Sequence, residues 1–170
     1  MQTTKNKEKA FITLLEQHKR LIVKIASSYF NNATDRNDLV QEIILQLWKA
    51  FPKFKEEKKA STWIYRIALN VAITNFRKEK NRQKKLFNYR QTVKVLEWQE
   101  PKLEEKLKLL YSLISELNPI ERAIIILHLE DCKQDEIADI VGISLSNVST
   151  RIYRIKEKMK KIVQSKKITK

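Results

Sequence analysis

The sequence predicts an all-α protein: two small helical domains joined by a flexible linker, the C-terminal one containing a helix-turn-helix. Two observations carry this. Average usage would put about a dozen glycines in a chain of this length, yet the 170 residues include one glycine and three prolines. Turn-rich β folds need many more of both. That single glycine, Gly142, also stands between two amphipathic runs in the stretch 134–156, QDEIADIVGISLSNVSTRIYRIK. Glycine reaches positive φ without steric cost, which suits the end of a helix. Ser144, two residues on, offers an oxygen to cap the next helix.

The remaining elements follow in order. Residues 8–30 form an amphipathic helix on Phe11, Leu14, Leu15, Leu21, Ile22 and Ile25, with His18 continuing the face. Asn31, Asn32, Thr34 and Asp35 punctuate the chain, and Thr34 or Asp35 suits a cap. A second helix, 36–50, turns Val40, Ile43, Ile44 and Leu47 inward. Residues 51–60, FPKFKEEKKA, form a basic loop, and Ser61 or Thr62 caps a third helix running to about residue 82. Its buried stripe is Ile64, Ile67, Ala68 and Val71. From Arg77 to Lys85, RKEKNRQKK, a single acid interrupts the cations. Residues 83–100 lose clear periodicity and form the linker, with room for a short helix at 93–98.

Pro101 opens the next helix as a first-turn residue. Leu103, Leu107, Leu110, Ile114 and Leu117 step four, three, four and three, a core seam. Asn118 caps and Pro119 starts a further helix, PIERAIIILHLED, which Asp131 ends because Asp tolerates left-handed geometry. In the helix-turn-helix, Ile137 and Val141 face Val148, Ile152, Ile155 and Met159, with the small Ala138 at the crossing. The tail frays after Val163. The domains are thus 1–82 and 101–170, with 83–100 between them.

Composition narrows the function. A net charge of +15 implies a polyanionic partner: nucleic acid, an acidic protein surface or an anionic membrane. No run approaches 18 apolar residues, and the first ten residues lack the apolar core of a signal peptide, so a cytoplasmic location is expected. Cys132 is the only cysteine, and His18 and His128 stand far apart, so no metal-ligand spacing exists. No Gly-rich phosphate loop or nucleophile elbow is present. An enzyme is not expected, nor any cofactor.

Three faces stand out. On the second helix Asp38, Gln41, Glu42, Leu45 and Trp48 mix acid, amide and large apolar groups. This suits protein docking, although Trp48 packed on the first helix is an equal alternative. On the third helix Trp63, Arg66, Asn70, Thr74 and Arg77 form a row suited to gripping a nucleic-acid strand, by stacking and by phosphate contact. The alternative for Trp63 is the core. On the last helix Ser146, Asn147, Ser149, Thr150, Tyr153 and Arg154 lie opposite the apolar stripe, and such groups read base edges from a major groove. An ordinary helical hairpin with a solvated face has the same spacing.

Three segments resemble the extracytoplasmic-function sigma factors, the minimal two-domain kind of bacterial RNA polymerase sigma subunit. DLVQEIILQLWKAFPKF at 38–54 is similar to the core-polymerase-binding segment. STWIYRIALNVAITNFRK at 61–78 resembles the minus-10 recognition segment. LNPIERAIIILHLEDCKQDEIADIVGISLSNVSTRIYRIKEKM at 117–159 resembles the fourth conserved region.

The resemblance implies that Asp38, Gln41, Glu42, Leu45 and Trp48 dock on the clamp helices of the largest polymerase subunit. It implies that the loop 53–60 and the start of the third helix capture a flipped minus-10 base, near Trp63 and Asn70. Thr74, Arg77 and Lys78 would contact the same element or its phosphates. Ser149, Thr150, Tyr153 and Arg154 would read the minus-35 element, with Arg151 and Arg122 on phosphates. The apolar side of 103–129 would seat on the flap of the second-largest subunit. Core RNA polymerase and promoter DNA are the implied partners, an anti-sigma factor is a common further one, and the free protein would be a monomer.

The sequence departs from the family in places. Asp131 stands where a glycine is frequent, and Lys133 replaces the usual Ser or Thr cap, a loss of about 1 kcal/mol. The aromatic set that housekeeping relatives use for melting is incomplete, which fits a strict promoter sequence. A conventional helix-turn-helix regulator would explain 134–156 and the charge, but not the faces on the second and third helices. A protein-only adaptor fits poorly with a charge of +15.

Overall fold

The computed structural model describes residues 2–54, 59–87 and 105–168, with side chains placed at 6–54, 59–82 and 106–165. All regular structure among these residues is helical: α1 (Gln2–Tyr29), α2 (Ala33–Ala50), a 3-10 turn (Phe51–Lys53), α3 (Ala60–Phe87), α4 (Glu105–Ser115), α5 (Pro119–Leu129), α6 (Gln134–Val141) and α7 (Leu145–Ile168). The chain divides into two compact units, Met1–Lys78 and Glu79–Lys170. Residues 83–87 of the expected linker are the end of α3. The expected short helix at 93–98 and the helix start at Pro101 lie outside the described residues.

In the first unit α1 packs on α2. The core takes Phe11, Ile22, Ile25, Ala26 and Tyr29 from α1, Leu39, Ile43 and Leu47 from α2, and Ile64, Tyr65, Ala68, Leu69 and Ala72 from α3. The inward stripe of α2 therefore differs from the expected one. Leu39 replaces Val40 and Ile44, which are only half-buried. The three buried residues sit at strict i, i+4 spacing, and Val40 and Ile44 flank them. On α3 the stripe is likewise rotated, leaving Ile67 and Val71 half-buried. The cap of α2 is Asn32, not Thr34 or Asp35: its side chain accepts from the Asp35 N–H at 2.7 Å. Asp35 instead supplies an acid in the first turn, where the helix dipole favours it. Phe76 of α3 meets Tyr29 and Phe30, each at a centroid distance of 6.0 Å.

The second unit is built around α5, whose Ala123, Ile124, Ile125, Ile126 and Leu127 are all buried. Five consecutive buried residues need neighbours on all sides, and α4, α6 and α7 supply them. Asn118 and Glu121 form a reciprocal cap at its start. Asn118 accepts from the Glu121 N–H at 2.9 Å, and the Asn118 N–H donates back to Glu121 at 3.0 Å. Asp131 adopts φ 56° after α5, as its residue type suggested. The α4 seam is buried at Ile114 and Leu117, half-buried at Leu110 and open at Leu107; Leu103 lies outside the described residues.

The helix-turn-helix forms at the expected place. Gly142 ends α6 at φ 77°, ψ 38°. Ser144 Oγ accepts from the Asn147 N–H at 3.4 Å. Ile137 and Ile140 of α6 are buried, as are Val148, Ile152 and Ile155 of α7. Val141 and Met159, expected inside, are half-buried. At Lys133 no side-chain oxygen caps α6, although its N–H donates to Glu136 Oε2 at 3.3 Å. α7 continues as helix to Ile168, beyond the expected fraying point at Val163.

Candidate functional site

On α2, Asp38 and Gln41 are exposed and Leu45 is 45% exposed. Glu42 is half-buried and accepts from Gln46 Nε2 at 2.7 Å. Trp48 is half-buried too. Its ring lies 5.0 Å from Phe11 of α1 and stacks on Phe51 at 6.5 Å, with Lys7 Nζ 5.9 Å from its centroid. Packing on the first helix is thus what Trp48 does in this fold, and the open part of the face is Asp38, Gln41 and Leu45.

On α3, Asn70, Thr74, Arg77 and Lys78 are exposed, while Arg66 and Trp63 are half-buried. Trp63 leans on Phe54 at 4.7 Å. Of the loop expected to capture a base, residues 55–58 lie outside the described residues. Between α2 and α3 runs a groove of about 440 Å³, lined by Glu42, Gln46, Asn70, Thr74, Asn75 and Lys78 around an apolar floor that includes Val71. Two faces that the sequence keeps apart therefore meet along one groove. Gln46 and Asn75 belong to it as well. Their signal in the sequence is only that each is polar and sits one turn or less from a residue of a candidate face.

In the second unit the outer face of α7 is open. Ser146, Asn147, Ser149, Thr150 and Arg154 are exposed, Tyr153 is 68% exposed, and Arg151 is half-buried. The Tyr153 ring thus stands in water on the side of α7 opposite the buried stripe Val148, Ile152 and Ile155. Thr150 donates to Ser146 O at 3.0 Å. Ser149 donates to Gln134 Oε1, across the helix-turn-helix. Further along α7 a hollow of about 540 Å³ is lined by Glu116, Tyr153, Arg154, Glu157, Lys158 and Lys161. A hydrogen bond from Lys160 at 2.7 Å holds the Glu157 carboxyl below the usual carboxylate range. Lys158 pairs with Glu121 of α5 at 3.0 Å.

Arg122 corrects an expectation. It is 5% exposed, and its guanidinium donates to Leu117 O at 2.9 Å and to Ser115 O. Ser115 ends α4 and Leu117 lies in the turn after it, so the cation satisfies an open acceptor at the helix end, where the dipole favours it, and another in the turn. The side chain faces inward rather than toward a phosphate, because its length lets the charged head reach back over the turn.

Among the described residues no group of His, Cys, Asp or Glu is arranged to hold a metal ion. No described helix is long and apolar enough to cross a membrane. Cys132 is half-buried, and its N–H donates to Leu127 O at 3.0 Å.

Comparison with known proteins adds to this geometry. Residues 14–82 match Sigma-70 region 2, and residues 107–159 match Sigma-70 region 4. The chain is 31% identical over 157 residues to the RNA polymerase sigma factor SigV of Bacillus subtilis, covering 90% of this chain and 89% of that one. It is 27% identical over 172 residues to the ECF RNA polymerase sigma factor SigW of the same species, covering 94% and 92%. In fold it resembles the sigma factor RpoE of Bartonella quintana, solved in complex with the anti-sigma factor NepR. That likeness has a TM-score of 0.72 at 19% identity and covers 92% of this chain and 98% of the other.

Proposed function

The chain belongs to the extracytoplasmic-function sigma factors of the sigma-70 family, and from that premise we propose how its two units divide the work of starting transcription. It binds core RNA polymerase and directs it to promoters by recognising a minus-35 and a minus-10 element. In the N-terminal domain, taken as residues 1–82, Asp38, Gln41, Glu42 and Leu45 dock on the polymerase, with Trp48 holding the face against α1. Trp63, Arg66, Asn70, Thr74, Arg77 and Lys78 take the melted minus-10 strand. In the second unit, within residues 101–170, Ser146, Asn147, Ser149, Thr150, Tyr153 and Arg154 read the minus-35 duplex, and Arg151 reaches a phosphate. Residues 83–100 join the two.

The chemistry is recognition only. The protein is a non-enzymatic subunit without a cofactor, and it works in the cytoplasm, where core polymerase is. An anti-sigma protein that covers the same surfaces would keep it idle.

One observation supports this reading above the others. The polar face of α7 is open to solvent while its opposite stripe, Val148, Ile152 and Ile155, is buried. A conventional helix-turn-helix regulator shares that feature but has no use for the α2 face or for the groove it forms with α3.

Run-off transcription tests the proposal. The protein is added to sigma-free core polymerase with fragmented genomic DNA as template. Discrete transcripts that share a pair of upstream motifs are expected. No transcripts, with tight site-specific binding by the protein alone, would make it a conventional regulator.

A further inference from the structure

Ser149 lies in the middle of the base-reading face of α7, and its hydroxyl is already engaged. It donates to the side-chain oxygen of Gln134, the first residue of α6 and 15 positions away. A second acceptor, Leu145 O, is 3.4 Å away within α7 itself. A serine hydroxyl has one proton and two lone pairs. With the proton spent inside the protein, only lone pairs remain to face outward.

The two helices that carry this pair are held by tertiary packing. Its helix is anchored by buried Ile137 and Ile140, and α7 by Val148 and Ile152. Both Gln134 and Ser149 are exposed, so the bond lies at the protein surface and not in the core. Thr150 differs: its proton goes to its own helix at Ser146 O and not to a side chain of α6.

In the major groove every base pair carries an amino donor on one strand and a keto acceptor on the other. Adenine N6 and cytosine N4 donate; guanine O6 and thymine O4 accept. We infer that Gln134 is a positioning residue that makes Ser149 an acceptor-only reader. Ser149 then selects an amino base, A or C, over a keto base, G or T, at one position on one strand of the minus-35 element. The inference rests on the reading of α7 as the minus-35 reader.

The test uses holoenzyme reconstituted with core polymerase and duplexes randomised across the minus-35 element, with the bound fraction sequenced. Wild type should show one position with an amino-over-keto preference of roughly 3- to 10-fold, the size of one net hydrogen bond. Ser149→Ala and Gln134→Ala should each flatten that same position, and the double variant should flatten it no further. Gln134→Glu retains an acceptor, so it should keep the preference while its negative charge lowers affinity for all sequences alike. The position lost in Ser149→Ala staying as sharp in Gln134→Ala as in wild type, an even loss at all positions, or a keto preference at that position would each overturn the inference. A wild-type holoenzyme with no sequence preference anywhere in the element would instead overturn the minus-35 reading itself.

Discussion

The rings of Phe54 and Trp63 lie 4.7 Å apart between centroids, tilted by 40°. Phe54 stacks in turn on Phe51 at 6.3 Å, and Phe51 on Trp48 at 6.5 Å. An unbroken run of rings thus leads from the α2 face to the start of α3. Paired rings of this kind add about 0.5–1.5 kcal/mol beyond their buried area. A double-mutant cycle of Phe54→Leu and Trp63→Leu, read by chemical unfolding, should return a coupling of that size. Additive losses would mean that the rings are neighbours without mutual support.

Trp48 and Leu45 should behave differently when truncated. Trp48 packs on Phe11 and Phe51, so Trp48→Ala should destabilise the first unit by about 2–4 kcal/mol, somewhat below a fully buried tryptophan. Leu45 is 45% exposed, so Leu45→Ala should cost under about 1 kcal/mol of stability. Both should weaken core-polymerase binding. Thermal unfolding beside polymerase titration separates the effects. Unchanged affinity in Leu45→Ala and in Asp38→Ala would remove the docking role from α2.

Replacing Arg122 should injure the fold rather than the DNA contact. Arg122→Met leaves two carbonyls, one at the end of α4 and one in the turn after it, without their charged donor, a loss of about 1.5–3 kcal/mol. The salt dependence of DNA binding should stay the same. A salt slope reduced by about 1 would mean that Arg122 does contact a phosphate.

Gly142→Ala isolates a backbone effect. An added Cβ would meet nothing within 4 Å, so the cost comes only from φ at 77°. About 1–2 kcal/mol is expected from forcing a non-glycine residue into left-handed geometry, and Gly142→Asn should lose less. Equal losses for both, measured by thermal unfolding, would point to something other than φ.

Arg154→Ala should cost about 1–3 kcal/mol at one or two minus-35 positions, because its exposed guanidinium suits a guanine edge. Binding assays over single-base promoter variants measure this. A uniform loss over all variants would make Arg154 a phosphate contact.

Much of this was legible in the residues because the causes are local. Gly142 and Asp131 take positive φ for reasons held in the residues themselves, the missing Cβ of one and the short polar side chain of the other. Asn118, Pro119 and Glu121 build a cap from four consecutive positions. The stripe Val148, Ile152 and Ile155 needs only the helical period to be seen. Periodicity failed where apolar residues crowd one side of a helix. Val40, Ile43, Ile44 and Leu47 are nearly equivalent by spacing, and packing chose Leu39 instead of two of them. Similarly, a Trp on the flank of α2 suits a partner or a neighbouring helix equally well until Phe11 is placed beside it.

The sequence by itself determined the all-helical class, the Asn118 cap of α5, the turns at Asp131 and Gly142, the helix-turn-helix and the polar face of α7. These follow from backbone preference and from spacing within one helix, and both are local. Only the tertiary structure decided that Arg122 turns inward, that Glu42 shares a groove with Asn70 and Thr74, and that Gln134 accepts a hydrogen bond from the Ser149 hydroxyl. Each of these joins groups from different helices or across a turn. The physical reason is that a side chain's hydrogen-bond partner and its free face are set by what is packed next to it, and periodicity along one helix carries no information about the next.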